Sequence, residues 1–207
     1  MQQSSAAPVP PTADLDALRR AAAGCRACDL WERATQTVFG EGVAGARLML
    51  VGEQPGDRED LTGSPFVGPS GEMLNRALDD AGIDRRLVYV TNVVKHFKWK
   101  PRGKRRIHQK PNAEEQGACR PWLDAEVASV RPRAVICLGA TAAQSLIRRD
   151  FRVTREHGEL LTSELGPPIA ATVHPSSVLR ARDKASRDAA YAGLVDDLRR
   201  IADAVGR

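Results

Sequence analysis

The sequence predicts a three-layer α/β/α sandwich around a short parallel sheet. Four short apolar runs, each followed by a turn signal, predict strands at Leu48–Gly52, Leu87–Val90, Ala134–Leu138 and Ile169–Val173. Their apolar residues are consecutive rather than alternating, which is typical of strands covered on both faces. Helical patterns lie between these runs, and strands that alternate with helices favour a parallel sheet with right-handed crossovers.

Apolar residues at helical spacing locate the helices. A stripe over residues 73–81 ends at Gly82, a typical helix C-cap. Asn112 and Glu115, three residues apart, resemble a capping box and predict the start of another helix. Pro121 would interrupt the hydrogen-bond ladder of that helix, so a fresh helix is predicted from there to Val130. Stripes near the two ends of the chain predict helices that contain Leu15, Leu18 and Ala22, and Leu194, Val195, Leu198 and Ile201.

The length and composition suit one globular domain. The 207 residues are enough for one well-buried core, which we place at residues 13–207, after a disordered leader at residues 1–12 rich in Ser, Ala, Pro and Gln. No apolar run is long enough to cross a bilayer, and no basic segment leads into an apolar one at the N-terminus. We therefore expect a cytoplasmic, monomeric protein that is not bound to a membrane.

The positive charge is concentrated in one stretch. Residues 95–110 contain eight Lys or Arg and no Asp or Glu, although the net charge is only +5. Clustered cations favour a polyanionic partner, because contacts with phosphates release counterions. On charge alone, a solvated basic loop or a targeting-like run is the alternative.

The four cysteines favour metal binding over disulfides, since we expect no secretory signal. Cys25 and Cys28 form a CxxC at the end of the first predicted helix. The distant Cys119 and Cys137 can complete a metal centre if the fold brings them together. A second CxxC is missing from the sequence, so a zinc ribbon fits poorly. The alternative for Cys137, which lies in an apolar strand, is an ordinary buried core residue.

Polar segments follow the predicted strands at the edge where open α/β folds bind ligands. GEQPGDRED (residues 52–60) follows the first strand, and SPFVGPSG comes next with Phe66. Asn92 ends the second strand within TNVVKHFK, and His174 ends the fourth within HPSS, where Pro175 can begin a helix. Taken singly these signals are weak: such an Asn is usually a turn residue, a lone His is usually structural, and Phe66 could be core. Their common edge predicts one site.

These motifs resemble those of a known family. GExPG, PFVGxSG, TNVVK and HPSS, with CxxC and two later cysteines, are similar to the family 4 uracil-DNA glycosylases over residues 20–200. GKRRIHQK, between TNVVK and the third cysteine, resembles the cross-linking class called UdgX, in which a KRRIH loop supplies a nucleophilic histidine. Gln54 fits this class, because ordinary family 4 members tend to have Ala there. Ser177 departs from the pattern, since many superfamily members read HPSP, which leaves the shape of the DNA-wedging loop open.

The resemblance implies excision of uracil from DNA, preferably single-stranded, by a protein with a 4Fe–4S cluster on Cys25, Cys28, Cys119 and Cys137. We expect the cluster to be structural, since glycosidic cleavage transfers no electrons. Phe66 would stack on the extruded base, Asn92 would bond its polar edge, and His174 would donate to the developing negative oxygen. The implied uracil-binding residues are Gln54, Asp57, Phe66, Asn92 and His174. The implied catalytic residues are His108, Glu53 and His174, and the implied DNA-binding residues are Lys104, Arg105, Arg106, Ser176 and Ser177. Arg106 and its neighbours would hold the loop and bind phosphates.

The resemblance gives His108 an unusual role. It would reach C1′ of the sugar before water does and leave a stable adduct, because a glycosyl-imidazole, unlike an ester, is not readily hydrolysed. Glu53 would stabilise the sugar cation, position a water or orient His108, and the sequence leaves these three roles open. One alternative is a hydrolytic family 4 glycosylase with turnover. Another is a non-catalytic nucleic-acid-binding module, which does not explain the coincidence of Glu53, Phe66, Asn92 and His174.

Overall fold

The computed structural model describes residues 7–206 and contains a central four-stranded parallel sheet and a separate two-stranded hairpin. The strands of the described residues are β1 (Leu48–Gly52), β2 (Val88–Asn92), β3 (Trp99–Arg102), β4 (Arg105–His108), β5 (Ala134–Leu138) and β6 (Ile169–Thr172). The helices are α1 (Leu15–Ala22), α2 (Asp57–Thr62), α3 (Pro69–Asp80), α4 (Ala113–Val130), α5 (Ala140–Leu146), α6 (Pro175–Leu179) and α7 (Lys184–Ala204). The sheet order is β2-β1-β5-β6, so all four carboxyl ends meet at one edge.

Helices cover both faces of this sheet. Met49 and Cys137 belong to the core beneath α1, α4 and α5, whereas Leu50 and Ile136 belong to the core beneath α3 and α7. Every residue of the four sheet strands is buried, which is why their sequences show no alternation. The three-layer α/β/α sandwich predicted from the sequence is confirmed.

The strand bounds differ little from those predicted. β1 and β5 have the predicted ends, and β6 stops one residue before the predicted Val173. β2 begins at Val88 and continues to Asn92, because Thr91 and Asn92 stay paired with Val51 and Gly52 of β1. Asn92 is therefore a strand residue whose backbone the sheet holds in place.

The predicted break in α4 at Pro121 is wrong. The capping box that begins the helix is present, with Asn112 accepting the Glu115 N–H and the Glu115 carboxylate accepting the Asn112 N–H. The helix nevertheless continues through Pro121, which lies on its exposed side, while Cys119 and Trp122 beside it are buried in the core. Proline removes one backbone hydrogen bond, and the packing of both halves against the sheet keeps them in line.

The hairpin of β3 and β4 was not predicted. Trp99 pairs with His108 and Arg102 with Arg105, and Gly103 at the turn has a φ of 58°, in the left-handed region that glycine adopts freely. The hairpin contains most of the acid-free basic stretch and ends at His108. The fold therefore presents the KRRIH sequence on paired strands rather than on an irregular loop.

The N-terminal segment is only partly described. Residues 1–6 of the predicted leader lie outside the described residues, and Ala7 and Val9 pack partly buried against the α1–α4 core. Among the described residues, no helix is long and apolar enough to cross a membrane.

Candidate active site

A cavity of about 670 Å³ opens at the carboxyl edge of the sheet. Residues at or just beyond the ends of β1, β2, β5 and β6 line it, and β4 contributes its last residue. Eight residues singled out from the sequence are among those that line it: Glu53, Gln54, Phe66, Asn92, His108, His174, Ser176 and Ser177. The prediction of a site at this edge of the sheet agrees with that placement.

His174 carries an N–H that is available to a ligand. It caps α6, and its Nδ1 accepts the backbone N–H of Ser176 at 3.1 Å, so the proton of the neutral ring is on Nε2. Burial lowers the pKa of His174 to about 4 despite the opposing charge of Glu53, and the positive charge of Arg180 also lowers it. At neutral pH the ring is therefore uncharged, with a donor nitrogen that makes no hydrogen bond to the described residues.

Glu53 and His108 face each other at the cavity. Oε1 of Glu53 lies 3.2 Å from Nε2 of His108, a close contact whose angles are not those of an aligned hydrogen bond. Burial opposes ionisation of Glu53, but the neighbouring His108 and Thr141 side chains outweigh it and lower the pKa of the carboxyl group. An ionised carboxylate therefore lies beside a half-exposed imidazole, where it can orient the ring or stabilise a cation.

Phe66 and Asn92 form a wall of the cavity above the end of β1. Gly52 leaves room for both, since a Cβ there would lie 2.4 Å from Asn92 Oδ1 and 2.9 Å from Phe66 Cζ. Phe66 has a φ of 56°, which a bulky residue rarely adopts, and its backbone lies against Gly71, where a Cβ would overlap it. Its ring stacks on that of His174 with centroids 6.5 Å apart. A strained backbone thus presents an aromatic face beside an amide.

The side chains of Gln54 and Asp57 contact the hairpin and its ends. Gln54 Oε1 accepts the Lys98 N–H at 2.8 Å, and its Nε2 donates to the Gln109 carbonyl at 2.9 Å, so the amide joins the two hairpin ends. Asp57 is not among the cavity-lining residues and accepts from Arg106 Nε at 2.5 Å. Gln54 borders the cavity and Asp57 does not, and uracil binding by either residue stays a prediction.

The three cations of the hairpin assigned to DNA differ in their surroundings. Arg106 contacts Asp57 and the fully buried Asp60, each at 2.5 Å, and its side chain is only 20% exposed. Lys104 and Arg105 are exposed at the turn and form no ion pair with the described residues. Arg106 is therefore an anchor of the hairpin, and the other two are available for phosphates.

The first turns of α6 bring further polar groups to the cavity. The Ser176 hydroxyl lies 2.8 Å from His174 Nδ1, and the Ser177 hydroxyl donates to the His174 carbonyl at 2.6 Å. Arg180, which the sequence analysis did not assign, is exposed, lines the cavity, and lies near enough to lower the pKa of His174. Its position in HPSSVLR, just past the short helix that His174 caps, was the signal that could have identified it.

Three of the four cysteines lie close together. Burial raises the pKa of Cys119 to about 12, and the neighbouring Cys28 and Cys25 add to the rise. The sulfur of Cys119 accepts the Lys95 N–H at 3.3 Å, and that of Cys25 accepts the Trp122 indole N–H at 3.2 Å. N–H donors of this kind tune thiolates that hold iron–sulfur clusters. Cys25, Cys28 and Cys119 are therefore the candidate ligands of such a cluster.

Cys137 lies apart from that group. It is wholly buried in β5, and burial alone raises its pKa, with no contribution from another cysteine. Within residues 7–206, no three His, Cys, Asp or Glu side chains are placed to hold a metal ion. The nearness of Cys25 and Cys28 to Cys119 is what supports a shared site, and the placement of Cys137 favours the alternative that it is a core residue.

His96 is a buried histidine for which the sequence predicted no role. It follows Lys95, whose amide contacts Cys119, and its Nε2 lies 2.9 Å from the Thr37 hydroxyl. Burial lowers the pKa of His96 to about 4, so its ring is neutral, the form in which histidine binds metals. Its place directly after TNVVK makes it a second candidate for the fourth ligand.

Comparison with known proteins shows the family of this chain. Residues 39–199 match the model of the uracil DNA glycosylase superfamily. The type-4 uracil-DNA glycosylase of Thermotoga maritima is 38% identical over 164 residues, which cover 79% of this chain and 82% of that protein. Those of Pyrobaculum aerophilum and Archaeoglobus fulgidus are each 36% identical, covering 81% and 80% of this chain and 85% and 83% of theirs. The matched residues include every residue that lines the cavity.

Proposed function

The chain belongs to the uracil-DNA glycosylase superfamily, and we propose that it excises uracil from DNA, preferably single-stranded, and bonds His108 to C1′ of the resulting abasic sugar. The observation that carries the proposal is the 3.2 Å contact between His108 and Glu53 at the cavity that Phe66 and Asn92 line. The named activity of the type-4 relatives supports uracil excision. The KRRIH resemblance supports assignment to the cross-linking UdgX class.

Recognition of the base rests on Phe66 and Asn92. An extruded uracil stacks on the Phe66 ring and exchanges hydrogen bonds with the Asn92 amide, which lies over Gly52. Cytosine presents the reverse donor pattern at this edge and would leave buried polar groups unpaired, which is strongly unfavourable.

Departure of the base rests on His174. As the bond between C1′ and uracil N1 breaks, its electron pair stays with uracil and negative charge builds on a uracil oxygen. The Nε2–H of the neutral His174 ring donates to that oxygen. Arg180, exposed at the same cavity, adds positive potential for the leaving anion.

Capture of the sugar cation rests on His108 and Glu53. The ionised Glu53 stabilises the cation and holds Nε2 of His108 towards it. As Nε2 bonds to C1′, its proton passes to Glu53, which leaves a neutral glycosyl-imidazole, a protonated carboxyl group and a uracil anion. The close contact supports the orienting role of Glu53 among the three that the sequence leaves open.

A denaturing gel tests the proposal. Wild-type protein mixed with single-stranded DNA containing one uracil should give a slow band that resists denaturant, at no more than one adduct per protein molecule. Free uracil with an abasic strand that is released and turned over would instead identify a conventional hydrolytic glycosylase. Unaltered DNA would exclude uracil excision altogether.

For DNA binding, we expect replacement of the exposed Lys104 and Arg105 to have a different effect from replacement of the anchored Arg106. Lys104→Ala with Arg105→Ala should make the plot of log affinity against log salt shallower, by about 0.7 for each lost contact with single-stranded phosphate. Arg106→Ala should leave that slope unchanged but slow adduct formation, since Asp57 and Asp60 lose the group that anchors the hairpin. An unchanged slope in the Lys104/Arg105 variant would show that neither residue contacts phosphate.

We propose a 4Fe–4S cluster held by Cys25, Cys28 and Cys119, with the fourth ligand from Cys137 or His96. When bound, the cluster supplies a cross-link between the CxxC segment and α4. The hydrogen bonds on Cys25 and Cys119 support this assignment.

Metal analysis of protein purified without oxygen should find iron, and Cys119→Ser should lose it. Cys137→Ser and His96→Ala then identify the fourth ligand, because the variant that lacks it should retain less iron than the other. Stoichiometric zinc without iron in the wild-type protein would contradict the cluster.

A further inference from the structure

A buried ion pair joins the segment that follows β2 to α4. Lys95 Nζ is 2.5 Å from Glu126 Oε2, and the two side chains are 1% and 0% exposed. The other carboxylate oxygen accepts from the Tyr89 hydroxyl and the Gly40 N–H, each at 3.0 Å. Lys95 also donates to the Thr91 hydroxyl at 2.6 Å. Both charged groups are therefore hydrogen-bonded to protein groups, away from solvent.

The ammonium group also holds the residue that faces the base. Lys95 Nζ donates to the backbone carbonyl of Asn92 at 2.8 Å, while the Asn92 side chain lines the cavity. Asn92 is the last residue of β2, an outer strand of the sheet, so sheet pairing ends at this residue. The backbone carbonyl and the side chain of Asn92 are attached to the same Cα. A hydrogen bond that fixes the carbonyl therefore also fixes the direction from which the side-chain amide enters the cavity.

The segment from Asn92 to Lys95 joins three parts of the molecule. The Val93 N–H donates to the Gly52 carbonyl at 2.9 Å, and the Val94 N–H donates to the Glu53 carbonyl at 3.1 Å. The Lys95 N–H donates to Cys119 Sγ at 3.3 Å. A displacement of Lys95 would disturb the Asn92 amide, the backbone at Glu53 and the cysteine group together.

A contribution to stability does not explain an ion pair at this place, since apolar side chains of equal volume are often as stabilising in a core. We propose that Lys95 and Glu126 are positioning residues for uracil excision, which hold the Asn92 amide in register with the base through the Asn92 carbonyl. This inference rests on the proposed uracil excision. It assigns a function to the lysine of TNVVK, which does not line the cavity.

The double variant Lys95→Met/Glu126→Gln removes both charges at similar volume and leaves no buried charge unpaired. We expect it to keep the iron content and the affinity for uracil-containing DNA of the wild-type protein, and to excise uracil about 10- to 10²-fold more slowly in single turnover, the scale of a misplaced binding group. In an Asn92→Ala background the same two changes should have little further effect, because coupled residues are not additive. A merely structural role would slow excision equally in both backgrounds.

Tyr89→Phe is the control, because it removes one hydrogen bond from Glu126 and leaves the Lys95 contact with Asn92 intact. Its excision rate should match that of the wild-type protein. If the double variant does not fold, Glu126→Gln alone weakens the hold on the ammonium and is compared in the same two backgrounds. Wild-type excision rates in the charge-altered variant, or additive losses with Asn92→Ala, would overturn the inference. A wild-type protein that excises no uracil would instead overturn the proposed function, and this inference with it.

Discussion

His108→Ala is expected to abolish the covalent adduct with uracil-containing DNA, because alanine offers no nucleophile to C1′. Uracil excision should continue, since Glu53, Phe66, Asn92 and His174 still line the cavity. Loss of the imidazole opens space beside the ionised Glu53, where a water can reach the sugar cation. The variant should therefore give free uracil and an alkali-labile strand with slow turnover, measured on denaturing gels with and without alkali.

Two further measurements make this result specific to His108. Lys110→Ala removes the nearest downstream amine, whose Nζ lies 3.4 Å from the Gln144 side chain, and should leave the adduct intact. Peptide mapping of the wild-type adduct should locate the deoxyribose on the segment that contains His108. An adduct that persists in His108→Ala, or one that maps to Glu53 or Lys110, would exclude the proposed capture.

The sheet and the edge that carries the cavity could be predicted from the sequence, because both depend on local patterns. Continuous apolar runs identify strands buried on both faces, and parallel strands place Glu53, Asn92 and His174 at one edge whatever the packing of the helices. The capping box at Asn112 is equally local, since both its hydrogen bonds lie within one helical turn.

The contacts that the sequence did not predict join residues distant along the chain. Arg106 was expected to hold the loop, but its partners Asp57 and Asp60 were not identified, because they precede it by more than forty residues. The same separation hid the role of Gln54, whose amide is occupied by the hairpin ends. A residue's place at the sheet edge follows from the strand pattern, but the direction of its side chain depends on what the fold brings beside it. Cys137 shows the same limit, since its neighbours in space are core residues of the sheet.

His174→Ala is expected to slow uracil release by about 10²- to 10³-fold, the effect of removing one donor of oxyanion type. The Ser176 N–H on Nδ1 fixes the neutral ring with its proton on Nε2, so alanine removes the side-chain donor of this residue. His157→Ala is a matched control, because it removes an imidazole that does not line the cavity and should leave the excision rate unchanged.

The rate of adduct formation distinguishes two roles of His174: assistance to departure of uracil, and a role in capture of the sugar cation. Because the bond to uracil breaks before or as His108 bonds to C1′, His174→Ala should slow adduct formation and uracil release by the same factor, measured together in single turnover. Adduct formation at the wild-type rate would show that His174 does not assist departure of the base. A larger loss for the adduct than for uracil release would instead assign His174 to the placement of His108.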